Sequence, residues 1–438
     1  MANPAISIWC NGPNDRFAVG QYGVIFHYDG ATFSEMTDTK PFYFEGAWCS
    51  SPNNAFLVGY YAWTFQEGGE IWTISSPIIA RYDGASIIED DLRGLELGTS
   101  SMNAVWGSGP NDVFAVGGFG RILHYDGVDP NWKEMDSGTA VDLFGVWGSS
   151  PNDVFAVGGS VYGTNGTILH YDGSSWSVMA SGLARRLEGV WGTGADDVFA
   201  VGDHGTILHY DGLAWSEMTS GTTENLLAVW GSGPNDIFAV GGCEGIPPAG
   251  TILHYNGSTW SAMSSGTTDQ LHGVWGSGPN DVFAVGIHGR VLHFNGSVWS
   301  AMESGTSNML TCVVGSGTDS VYAVGTGTTV LRPRRCSLSV SIVSHPEWGH
   351  VVVEPNLPWY RAYERVPVTL TATVTQEGKM WMGWEGDVDP NDRYTNPLTV
   401  IMDRDKTITT SFKCGMGLGP MLPLMAIGLI ALRAVRWR

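Results

Sequence analysis

Four side chains able to do chemistry share one slot of a repeated phrase: Glu45, Asn103, Glu188 and His272 each stand three residues ahead of a tryptophan. In the other copies that slot holds Ile6, Phe144, Leu227 and Thr311, while the residues flanking it change far less. A position that varies inside a steady phrase is released from the packing that fixes its neighbours, so binding or catalysis is sought there. Asp203, His204 and His288, in short turns between apolar runs, join the candidates. Two carboxylates such as Glu45 and Glu188 are the equipment of glycoside hydrolysis, which requires them roughly 5–9.5 Å apart. Spacing along the chain does not set that separation. Binding is therefore the expected role, and no catalytic residue is assigned.

Two further sets of residues imitate a metal site. Asp15, Asp112, Asp153, Asp197, Asp236 and Asp281 recur in turns such as Pro-Asn-Asp, and His27, His124, His170, His209, His254 and His293 recur one per copy. An aspartate in a tight turn ordinarily bonds nearby backbone N–H groups. The histidines fall one repeat apart, and stacked sheets lie about 10 Å from one another. A zinc ligand must come within about 2.1 Å of its ion. Both sets are expected to be structural, with no metal and no cofactor.

The copies differ most in length between their second and third apolar runs, with extra residues at Tyr60–Pro77, Gly159–Gly166 and Gly242–Gly250. The first insertion alternates aromatic and polar residues around Gly68-Gly69 and reads as a projecting hairpin. Trp63, Phe65 and Trp72 on it could stack on a sugar ring or on a partner's apolar patch. Folding back onto the body of the protein is the equal alternative. A glycan or protein partner is thus expected on the rim that carries the insertions.

The elements that position these residues follow from the repeat. Trp9, Trp48, Trp106, Trp147, Trp191, Trp230, Trp275 and, in a degenerate copy, Val314 key eight versions of one sentence, V-W-G-S-G-P-N-D-V-F-A-V-G, then G-T-I-L-H-Y-D-G, then W-S-x-M. A period of about 40 residues with four short apolar runs per copy is the mark of a β-propeller, one four-stranded blade per copy. In the copy from Leu187 to Gly221 the runs are Leu187–Trp191, Val198–Gly202, Thr206–Tyr210 and Trp215–Met218. Phe199 and Val201 fall on one face of the second run and Ala200 on the other; the small alanine lets neighbouring blades close up. The fold class expected is all-β: an eight-bladed propeller over 1–335 (seven blades the alternative), then a small β-module and one C-terminal transmembrane helix.

Composition narrows the partners. A formal charge of -21 argues against nucleic acid, which is held by lysine and arginine. Sixty glycines among 438 residues suit a turn-rich β protein. Six cysteines show no zinc spacing. Cys336 and Cys414 bracket the module over 336–414, and either form a disulfide closing it or are free thiols. Cys10 and Cys49 take a slot that is glycine in other copies and are read as small packing residues.

On these motifs the repeats resemble the WD40/YVTN/BNR-like propellers of bacterial secreted and surface proteins. Asp172-Gly173 followed by Trp176 is similar to the Asp-box turn of sialidase-like propellers, without the Ser or Thr ahead of the Asp. The arginine cluster of sialidases is missing too, since Arg16, Arg121 and Arg290 occupy different repeat slots. Residues 338–413, from G-H-V-V-V-E-P through G-W-E-G-D to K-T-I-T-T-S-F, resemble the divergent internalin B-repeat-like bacterial domain, which implies an extracellular spacer or adhesive module with Trp381 and Trp384 in its core. In the segment 415–438, Met416–Leu432 carries no charge and as a helix would rise about 25 Å, enough for a thin bilayer. Arg433, Arg436 and Arg438 would stay on the cytoplasmic side. With Cys414 and Gly415 ahead of it, the tail resembles the C-terminal sorting signals of Gram-negative surface proteins, cut near the short motif. The first residues enter a strand at once, without a signal segment; either the tail anchors a cytoplasmic protein, or, as preferred, the natural N-terminus lies upstream. The expectation is a non-catalytic binding or adhesion protein at the cell surface or outer envelope of a Gram-negative bacterium. An extracellular glycoside hydrolase or lyase and a purely structural envelope component are the alternatives.

Overall fold

The computed structural model describes residues 5–12, 15–20, 25–28, 33–35, 42–51, 54–67, 70–83, 87–90, 92, 95, 100–128, 132–160, 162, 164–243, 249–315, 321–325, 329–331, 335–336, 338–344, 346–354, 360–361, 366–375, 379–402 and 406–414. The chain divides into two compact units between Arg332 and Pro333.

In the first unit each copy of the sentence is one antiparallel sheet whose strands pair in chain order. Seven sheets have four strands, and the eighth has three among the described residues. The inner strands are Ala5–Gly12, Phe42–Ser51, Met102–Gly109, Asp142–Ser150, Leu187–Gly194, Leu226–Gly233, Leu271–Gly278 and Leu310–Gly315. Each packs beside the inner strand of the next sheet, and the eighth packs beside the first.

Burial on both faces of the second strand explains its continuous apolar run. Val113, Phe114, Ala115 and Val116 are all 0 % exposed. Alternation then divides the run between two seams. Phe114 and Val116 cluster with Val154, Ala156 and Leu169 of the following sheet, whereas Val113 and Ala115 cluster with Phe56 and Val58 of the preceding one. A larger residue in place of the alanine would meet the previous sheet's phenylalanine. Across five seams that phenylalanine also stands edge-on to the next sheet's outer tryptophan, as Phe114 does to Trp176 at 5.8 Å and Phe199 to Trp260 at 6.1 Å. The key tryptophans from Trp48 to Trp275 are half-buried and bridge seams differently. Trp147 covers the glycine after the next key tryptophan so closely that a Cβ on Gly192 would lie 2.7 Å from its ring, which accounts for the Trp-Gly pair.

The Asp–His pairs are a framework device. His209 Nε2 lies 2.7 Å from Asp197 Oδ1, and Thr193 Oγ1 donates to Asp197 Oδ2 at 2.5 Å. The same three-part bond recurs at Ser108–Asp112–His124, Ser149–Asp153–His170, Ser232–Asp236–His254 and Ser277–Asp281–His293. The expectation that these aspartates would bond backbone N–H groups is corrected here: each carboxylate ties the turn to the third strand through side chains. The hydroxyl sits on the aspartate and not on the histidine, so the order is not that of a nucleophilic triad.

In the second unit the six strands expected from 338 to 413 pair into two three-stranded sheets. Leu338–Ser344 runs parallel to Lys406–Cys414, which pairs with Lys379–Gly386. Val366–Val374 pairs with Gly349–Glu354 and Leu398–Met402. Trp384, 1 % exposed, centres the core, with Trp381 packed against it. The side chains of Cys336 and Cys414, and Gly415, lie outside the described residues, as does the uncharged stretch 416–432. Among the described residues no helix is long and apolar enough to cross a membrane.

Candidate functional site

The variable slot coincides with a backbone irregularity. In all eight sheets the pairing of inner and second strands slips by one residue at that position. In the fifth sheet Leu187 pairs with Gly202 and Gly189 with Val201, leaving Glu188 as the extra residue. Ile6, Glu45, Asn103, Phe144, Leu227, His272 and Thr311 occupy the same place in their sheets. A β-bulge leaves its extra residue unpaired and re-aims the side chain. The slot is therefore freed from the ladder by construction.

The bulge also dictates the glycine ending each Phe-Ala-Val-Gly run. Where the inner strand buckles, its backbone closes on the second strand. A Cβ on Gly202 would stand 2.1 Å from the Arg186 carbonyl oxygen, and one on Gly158 1.9 Å from that of Asp142. Since that glycine leads straight into the connection between second and third strands, all eight bulges lie at the same end of their sheets as the long insertions.

Around this rim the bulge residues are half-buried wherever their burial is described. Asn103 Nδ2 donates to the Leu143 carbonyl of the next sheet at 2.8 Å and its Oδ1 accepts from Ser101 Oγ. Glu45 has its carboxyl pushed up to about 7 by burial. Glu188 is also pushed up to about 7, by burial with a contribution from Asp203, against the opposing pull of Arg186. Glu45 belongs to the second sheet, Glu188 to the fifth and His272 to the seventh. The near partner of Glu188 is an arginine, the Nη2 of Arg186 at 2.5 Å, whose Nε also approaches Asp203.

The turn candidates separate. Asp203 is buried at 5 % exposure, beside Arg186. His204 and His288 hold left-handed conformations, φ 57° and 54°, as does Phe119 at 60° in the third sheet, and all three are exposed. The His204 N–H is held by Asn225 Oδ1 and the Phe119 N–H by Asp142 Oδ1. His288 Nδ1 lies 3.0 Å from Asp269 Oδ1, and Asp269 also anchors Arg290. His204 borders an open cleft of about 740 Å³ with Glu217, Met218 and Thr222.

The first insertion forms the expected hairpin. Asn54–Glu67 and Glu70–Tyr82 pair without interruption to Glu67 opposite Glu70, with Phe65 opposite Trp72 and Trp63 opposite Ile74. By register the three aromatic positions belong to one face of the ribbon.

Arg186 and Phe119 were missed. A signal existed for the first: the residue two before the bulge varies as freely as the bulge itself, with Arg186, Asn225, Gln270 and Met309 in successive copies. Phe119 shares the slot of His204 and His288 and lacked only a polar group to draw attention.

No protein-family model matches the chain, and no curated protein matches it. Solved structures do. The C-terminal WD40 domain of Sif2 has a TM-score of 0.53 at 7 % identity, over 74 % of this chain and 93 % of that one. The chain has a WD40-like β-propeller fold. Sqt1 from Chaetomium thermophilum, solved bound to the N-terminus of the ribosomal protein L10, gives 0.52 at 12 % identity over 75 % and 87 %. YCF48 from Cyanidioschyzon merolae gives 0.48 at 18 % identity over 67 % and 96 %.

Proposed function

We propose that this chain is a non-catalytic binding scaffold: eight blades in a closed ring that hold a protein segment on the rim bearing the bulge residues and the long ribbon. One observation carries the reading. Every blade repeats the same framework, and on this rim the ladder between its inner and second strands breaks at a residue whose chemistry differs from blade to blade. A ring of eight side chains of seven kinds on a fixed frame is suited to reading a sequence of unlike groups, as a peptide presents. The L10 N-terminus bound by Sqt1 is a ligand of that kind.

The test is selection of a displayed random-peptide library on the immobilised chain. Enriched peptides should lose about tenfold in affinity, the scale of a truncated hot spot, to a Leu227→Ala/His272→Ala variant. Peptides that bind this variant as well as the parent would sink the proposal. A glycan array run beside it would show binding there instead if the rim reads sugars.

We propose further that the scaffold is displayed at a bacterial envelope. The uncharged stretch Met416–Leu432 and the three arginines behind it support this reading. Cell fractionation should find the full chain with membranes and a chain ending at Cys414 released from them; equal distribution would refute it.

A further inference from the structure

Arg186 stands at the seam between the fourth and fifth blades, and its bonding is incomplete. Its Nη2 holds Glu188 Oε1 at 2.5 Å, while its Nε stops 3.5 Å from Asp203 Oδ2. The fourth blade forms the other wall. The guanidinium carbon lies 5.3 Å from the centre of the Phe144 ring, and a Cβ on Gly159 would come 2.9 Å from Arg186 Cα. The Asp203 side chain is only 7 % exposed, yet its Oδ1 has no hydrogen-bond partner, and neither has Arg186 Nε. A buried polar atom left unsatisfied is destabilising, and more so when charged. Two carboxylates share one guanidinium here, so the ionised group is one positive charge short.

We propose that this seam is a docking site for a cationic side chain, an arginine or lysine of a basic peptide, which takes Glu188 while Arg186 shifts onto Asp203. The proposal rests on the scaffold reading and names its partner class. Three observations carry it. The exchange satisfies both orphaned atoms: Arg186 Nε closes the 3.5 Å to Asp203 Oδ2, and the Nη2 released from Glu188 turns to the orphaned Oδ1, a side-on bidentate pair. Glu188 is the carboxylate an incoming charge meets first, its side chain being 17 % exposed against 7 % for Asp203. The net charge of -21 draws basic segments toward the surface and repels acidic ones.

The experiment measures anisotropy of a labelled eight-residue peptide of alternating arginine and glycine, and of its citrulline counterpart, at about 0.15 M salt, where distant charges are screened. The arginine peptide should bind at least about tenfold more tightly than the neutral one, as charge-assisted bonding requires. Glu188→Gln should remove most of that preference. Arg186→Gln, which leaves both carboxylates for the ligand, should tighten binding. Glu303→Gln removes the same unit of charge at an exposed position on the seventh blade and should change affinity by less than about twofold. Thermal unfolding of each variant confirms that it is folded.

Equal losses for Glu188→Gln and Glu303→Gln would mean diffuse attraction and overturn the proposal. So would weaker binding by Arg186→Gln, or no preference for arginine over citrulline, the result expected if the seam holds only water. Library peptides that need Leu227 and His272 but ignore Glu188→Gln would remove this site and leave the scaffold standing.

Discussion

Glu45 carries a testable cost of its position. Burial pushes its carboxyl up to about 7 from an ordinary 4.5, so the folded protein holds this proton more tightly than the unfolded chain does. The associated stability is fully present below about pH 4.5 and is lost as pH rises through about 7. Glu45→Gln keeps the shape and cannot ionise. It should match the parent near pH 4.5 and exceed it at pH 8 by about 1–3 kcal/mol, because each tenfold gain in proton affinity on folding is worth about 1.4 kcal/mol. Urea titrations at the two pH values would measure the difference, and a variant no more stable at pH 8 would show Glu45 to be well solvated. At this scale the sequence was readable wherever chemistry and packing coincide. Asp197 and His209 announced a structural role by recurring, although their actual bond, carboxylate to imidazole and hydroxyl, needs a third-strand register that no local pattern specifies. Arg186 went unseen because its partner Asp203 comes from a turn two strands later.

At the level of elements, the four-run sentence translated into strands almost directly, since alternation, Gly-Asp turns and apolar runs are local signals. The bulge was not legible. It is a mismatch between two strands, and Leu187-Glu188-Gly189 reads like any alternating strand until its partner's register is known. What the sequence did show was its consequence, a slot free to vary. The ribbon of Asn54–Glu67 and Glu70–Tyr82 is an addition to the frame of its blade. Beyond Tyr61 its two strands pair only with each other, and of the blade's inner strand only Phe42 and Tyr43 pair with the ribbon, opposite Tyr61 and Tyr60. Replacing residues 60–77 by the short Gly118–Arg121 connection of the third blade should therefore move the melting temperature by no more than about 2–4 °C, the change expected for about 1 kcal/mol in a unit of this size. Thermal unfolding checks this. A far larger loss would mean that the ribbon folds back and packs on the propeller, the alternative its sequence left open.

Over the whole molecule, packing runs from blade to blade with little to interrupt it. The seam of Phe114 and Trp176 continues into those of Phe155 and Trp215, Phe199 and Trp260, and Phe238 and Trp299. A change in one blade is thus felt by its neighbours, and with the eighth inner strand packed on the first no blade lies at a free end. The second unit has its own core around Trp384, Val368, Leu370 and Met402, drawn entirely from its own strands. Two such bodies should unfold as two cooperative transitions of the intact chain. Phe199→Ala empties a fully buried position in the propeller and should cost about 3–5 kcal/mol, displacing the propeller transition and leaving the other in place. Trp384→Ala should do the reverse by a similar amount. Calorimetry of the full chain with each substitution separates the cases, because a single transition moved by both would mean that the units share one cooperative core. Should Phe199→Ala instead split the propeller transition into two, the blades would be behaving as a linear array, and the contact between the eighth inner strand and the first would not be carrying cooperativity around the ring.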